Sequence, residues 1–137
     1  MFNVFSKFHP FIKNNRGQAL VEIALVLPLL LLIIFGIIEF GRIFSAQLTL
    51  THASREGARA GALGNSNTEI VEIVSSSSYP LEIGAGSVEI TPDENSRFTG
   101  DSLTVEINSS VSIYTPFLNG LLENPFPVSA KTTMRME

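Results

Sequence analysis

One carboxylate interrupts a long apolar run. Glu22 is the sole charge between Gln18 and Ile38, a stretch of 21 residues. An acid at the centre of a membrane helix costs about 2.5–3.5 kcal/mol on insertion scales, and less near an end, where the side chain can reach toward the interface. Two readings follow from the residues alone. Glu22 is either a boundary acid that the membrane tolerates or an acid waiting for a cation. Cleavage after Gly17 would supply that cation as a free amine on Gln18. The amine would lie close to Glu22, and within reach of a neighbouring Glu22 if helices stack with an axial offset.

Little other chemistry is on offer. There is no cysteine, so a disulfide scaffold, thiolate metal sites and thiol catalysis are excluded. The two histidines, His9 and His52, fall on opposite sides of the apolar run and cannot share a metal. Ser75 to Ser78 offers hydroxyls with no histidine nearby to activate them. Asp93, Glu94 and Asp101 match no calcium-loop spacing. Gly57, Gly61 and Gly64 come late in a helix, where no phosphate-cradling loop is expected. The sequence predicts no catalytic residues, no metal and no cofactor.

Twenty-one helical residues at roughly 1.5 Å each cover about the core of a bilayer. The preceding residues, 1–17, carry Lys7, Lys13 and Arg16 and no acid. Residues 65–137 carry ten acids against Arg97, Lys131 and Arg135. This asymmetry predicts a single-pass protein with a cytoplasmic N-terminus and an extracytoplasmic acidic domain. It also argues against nucleic acid as a partner, since that needs clustered Lys and Arg. The apolar core is longer than that of a secretory signal peptide, so a signal anchor is the plainer reading of the segment.

The helix is expected to run over residues 18–64, with the span at about 18–38. Phe40, Ile43, Phe44 and Leu48 continue an apolar stripe at helical spacing. Glu39 and Arg42 are placed to pair at the membrane exit. Ala53, Gly57 and Gly61 recur every four residues. They either let another backbone approach closely or simply fray the helix end. Gly64-Asn65 suits a C-cap, and Asn67 or Thr68 suits the N-cap of a short second helix with Ile70, Val71 and Val74 on its buried face. A short strand is expected at 87–91. Leu103, Val105, Ile107, Val111 and Ile113 alternate with polar residues, as do Val128, Ala130, Thr132, Met134 and Met136. That period of two predicts antiparallel strands with one buried face. The fold class is α+β: one long N-terminal helix, then a small antiparallel sheet with a short helix. This arrangement sets Glu22 more than about 40 residues, or roughly 60 Å of helix, from the sheet.

Arg16 to Phe44, RGQALVEIALVLPLLLLIIFGIIEFGRIF, resembles the N-terminal motif of the TadE-like family. The continuation Ala53-Ser54-Arg55-Glu56-Gly57-Ala58-Arg59 and the final AKTTMRME from Ala130 resemble it too. Ile23 departs from the tyrosine that often follows the glutamate at Tad-type processing sites. The resemblance implies a pilin-like fold and a non-enzymatic minor pilin or pseudopilin of the Tad (tight adherence, Flp pilus) machinery. It further implies a prepilin peptidase cutting between Gly17 and Gln18, and Glu22 acting in assembly. The implied partners are that peptidase, other pilin and pseudopilin subunits and the inner-membrane Tad machinery. The alternative is an uncleaved, signal-anchored envelope protein whose acidic domain binds a partner.

Overall fold

The computed structural model describes residues 15–116, 118–120 and 122–137. The expectations for residues 1–14 of the basic leader, including His9, lie outside these residues. The chain is α+β. Helix α1 runs Asn15–Ala62, α2 Asn67–Ser77, and strands β1, β2 and β3 run Val88–Thr91, Ser102–Val111 and Phe126–Arg135. The chain divides into two compact units, residues 1–34 and 35–137.

In the first unit, α1 is apolar all round, and every side chain described from Gln18 to Ile34 is exposed. An apolar helix with no polar face is the mark of a segment made for lipid or for other apolar helices. Pro28 lies within it.

In the second unit, the sheet has the order β1-β2-β3, antiparallel throughout. Alternation works as the pattern requires. Leu103, Val105 and Ile107 are fully buried, and Val128 and Ala130 point the same way from β3. On the wet face Thr104 and Thr133 share a hydrogen bond of 2.8 Å, and Glu106 pairs with Lys131 at 3.1 Å. β3 begins earlier than the alternation suggests, at Phe126. It admits Pro127 because an edge strand can spare an N–H.

The inner face packs on α1 and α2. Leu50, Ala53 and Ala58 from α1 and Ile70 and Val74 from α2 complete the core. Each large side chain buried here is worth about 2 kcal/mol. Small residues on α1 let the sheet lie close along the helix. The chain after β2 therefore runs back along α1 as far as Glu39. The segment after β2 reaches Glu39 directly, through the backbone N–H of Tyr114 and the hydroxyl of Thr115.

Helix α1 ends where Gly64, at φ +88°, turns the chain in a conformation that other residues rarely adopt. The cap of α2 is Ser66, one residue before the expected Asn67. Its hydroxyl accepts from Glu69 N–H, and the Glu69 carboxylate accepts from Ser66 N–H, a reciprocal capping box.

Candidate functional site

Gly17, Gln18 and Glu22 lie in the first unit, on the first turns of α1. Glu22 shares a surface with Ile23, Val26, Leu27 and Leu30, so the carboxylate sits in an apolar patch. It makes no hydrogen bond or ion pair among the described residues. A Cβ built on Gly17 would meet nothing within 4 Å among them. Packing within the described chain thus gives no reason for glycine there, although glycine costs a helix interior about 1 kcal/mol relative to alanine.

Ala53, Gly57 and Gly61 lie in the second unit, away in sequence from the first three. Ala53 is fully buried. A Cβ on Gly57 would come within 2.6 Å of Val74 Cγ2 and 3.4 Å of Val105 Cγ1. One on Gly61 would come within 2.7 Å of Leu103 Cδ2. The neighbours of these small residues are α2 and β2.

A polar cluster surrounds Glu39, which is only 3% exposed. Its Oε1 accepts from Arg42 Nη1 at 2.8 Å and from Tyr114 N–H at 3.2 Å, and its Oε2 accepts from Thr115 Oγ1 at 3.2 Å. Arg42 stacks over the Tyr114 ring, 4.6 Å from its centre, and Nη1 also donates to the Ser112 carbonyl at 3.3 Å. A buried carboxylate is tolerated because both oxygens are satisfied. The (i, i+3) spacing of Glu39 and Arg42 signals their pairing in the sequence. Tyr114 and Thr115 carry no such signal, because they come from a distant loop.

Among the described residues no three His, Asp or Glu side chains are grouped so as to hold a metal ion. His52 is exposed on α1. α1 is long and apolar enough from Gly17 to cross a membrane, and its most apolar stretch is not buried.

The family model described as TadE-like protein matches residues 17–59. The match covers the apolar half of α1, Glu39 and Arg42, and the small residues to Gly57. Over these residues the chain is similar to TadE-like proteins. No curated protein and no solved structure matches the chain.

Proposed function

We propose that the chain is a non-enzymatic minor pilin or pseudopilin of a Tad pilus machinery, held in the inner membrane and assembling through its N-terminal apolar helix. The observation that carries this reading is the TadE-like match beginning at Gly17, on a helix whose apolar side chains the described residues leave uncovered. Leu20, Leu25, Leu29 and Ile37 are each 60% or more exposed. In water such a surface costs roughly 25 cal/mol for every Å² left uncovered. Lipid covers it before assembly, and like helices cover it afterwards.

In this reading the cytoplasmic leader is removed by a prepilin peptidase between Gly17 and Gln18. The new Gln18 amine pairs with Glu22 of the same or a neighbouring subunit and sets axial register. The acidic domain lies outside the cytoplasm. Glycine at position 17 suits a peptidase cleft that a bulkier side chain would obstruct.

The test is processing. Coexpressed with an active prepilin peptidase, the wild type should yield a mature chain beginning at Gln18, and Gly17→Leu should accumulate as a precursor. An intact leader on the wild type under these conditions would favour the signal-anchored envelope protein instead.

A further inference from the structure

One face of α1 changes character in steps. Phe35, Ile38, Arg42, Ser45 and Thr49 follow one another at intervals of three and four residues, which places them on one side of the helix. Phe35 and Ile38 are half-exposed and line an apolar groove of about 360 Å³ whose other wall is Tyr114, Thr115 and Pro116. Arg42 borders that groove and also a second one, of about 310 Å³, lined by Ser45, Thr49, Pro80 and Leu81. Its Nη1 holds Glu39 and the Ser112 carbonyl, but Nε and Nη2 have no partner among the described residues. The hydroxyls of Ser45 and Thr49 likewise have no hydrogen bond among the described residues.

We propose that this face binds one anionic glycerophospholipid with a hydroxyl-bearing headgroup, of the phosphatidylglycerol type. The acyl chain lies in the groove at Phe35 and Ile38, the phosphodiester on the free edge of Arg42, and the headgroup hydroxyls over Ser45. The inference rests on α1 crossing the membrane.

Three observations choose this occupant. The order along the face, apolar, then cationic, then hydroxylic, is the order a phospholipid presents from the bilayer centre outward. The distance to the first hydroxyl fits as well: Arg42 to Ser45 is about 4.5 Å at 1.5 Å per residue, inside one headgroup layer of roughly 5–8 Å. The charge arrangement selects the headgroup. A guanidinium edge presents parallel donors that suit phosphate oxygens. The nearby acid, Glu39, is buried with both oxygens engaged, so a choline or ethanolamine cation would find no open counter-charge.

The chain has two tyrosines and no tryptophan. Replacing the exposed Tyr79 by phenylalanine therefore leaves Tyr114, in the groove wall, as its fluorophore. The full-length Tyr79→Phe protein is reconstituted in phosphatidylcholine vesicles holding a few mole per cent of phosphatidylglycerol brominated on its acyl chains. Tyr114 should be quenched in a saturable way, and more strongly than by the same fraction of brominated phosphatidylcholine, because only the anionic lipid leaves its phosphate charge free for the guanidinium fork. Arg42→Lys keeps the charge beside Glu39 but loses the fork, and should abolish the excess. Ser45→Ala leaves the ion pair untouched and should lower it. Circular dichroism checks that each variant is folded. Equal quenching by the two brominated lipids in the folded parent overturns the site while leaving the membrane helix standing. Quenching by neither, with protein that fails to float with vesicles, overturns the membrane reading and the site together.

Discussion

Thr115 donates its hydroxyl to the carboxylate of Glu39 at 3.2 Å, and so joins the loop after β2 to the middle of α1. A helix whose inner face is mostly small residues beside Leu50 offers the sheet close contact but few anchors. The buried carboxylate supplies one, because three donors converge on it from two chain segments.

Removing the charge should therefore loosen the domain. Glu39→Gln keeps the shape but turns an amide N–H₂ toward groups that themselves donate. The expected cost is about 2 kcal/mol, within the range for hydrogen bonds to a buried charged group. Thr115→Val removes one donor and should cost about 1 kcal/mol. Thermal melting of the full chain in mild detergent, followed by circular dichroism, measures both. Equal melting temperatures for Glu39→Gln and wild type would mean that the clasp contributes nothing to stability.

Two glycines on one helix should respond to alanine with opposite signs. Alanine favours a helix interior by about 1 kcal/mol over glycine. At Gly41 nothing lies within 4 Å of the added Cβ among the described residues, so Gly41→Ala should stabilise. At Gly57 the added carbon would sit 2.6 Å from Val74 Cγ2. Val74 is fully buried and stiff at χ1, so it cannot turn aside cheaply. Overpacking of this kind costs about 1–3 kcal/mol, which outweighs the propensity gain. Paired melts decide the matter, and a stabilised Gly57→Ala would show that α2 shifts freely.

These contrasts also show what a sequence can display. Strand β2 was legible because Leu103, Val105 and Ile107 repeat every second residue, and one wet and one dry face leave a period behind. Gly57 and Gly61 were legible as one face, but not in what covers it, since spacing along a helix says nothing of the neighbour. The capping serine was readable in principle from Ser66 and Glu69 three residues apart, but Asn67 and Thr68 are equally able caps. Glu39 with Thr115 left no trace, because a contact between distant segments has no period. At the candidate site, Gly17, Gln18 and Glu22 stood out because residue type and spacing along one helix carry that chemistry. The groove at Arg42 did not, because the loop of Tyr114 builds half of it.

The start of α2 should carry a pH dependence. The backbone N–H of Ser66 and then its hydroxyl hold the Glu69 carboxyl below its usual range. A depressed folded pKa means that the contribution is complete above the unfolded value, ordinarily about 4.3 for glutamate, and is lost as pH falls through the folded one. The Ser66 amide proton, followed by NMR, should thus titrate below the ordinary carboxylate range. Glu69→Gln should flatten that titration. Ser66→Ala should destabilise by about 1 kcal/mol at neutral pH, the usual cost of a lost cap. A Ser66 amide that titrates at the ordinary value would mean that the capping box is open in solution.

Glu22 should matter for assembly and not for folding. Its carboxylate has no partner among the described residues, so Glu22→Ala breaks no hydrogen bond seen there. Losing an acid from an apolar helix also lowers the cost of membrane insertion, and the protein should still accumulate. The loss should appear when subunits associate. Removing the acid would leave the Gln18 amine of a processed chain buried without its counter-charge, and breaking a buried pair costs about 3–5 kcal/mol. Glu22→Ala should therefore melt like the wild type and reach the same level in the membrane, yet fail to co-purify with pilus-machinery partners. Glu22→Asp, which keeps the charge on a shorter arm, should restore part of that association. Normal co-purification and normal piliation by Glu22→Ala would reduce Glu22 to a boundary acid that the membrane tolerates. A melted domain would instead show that the carboxylate works through folding.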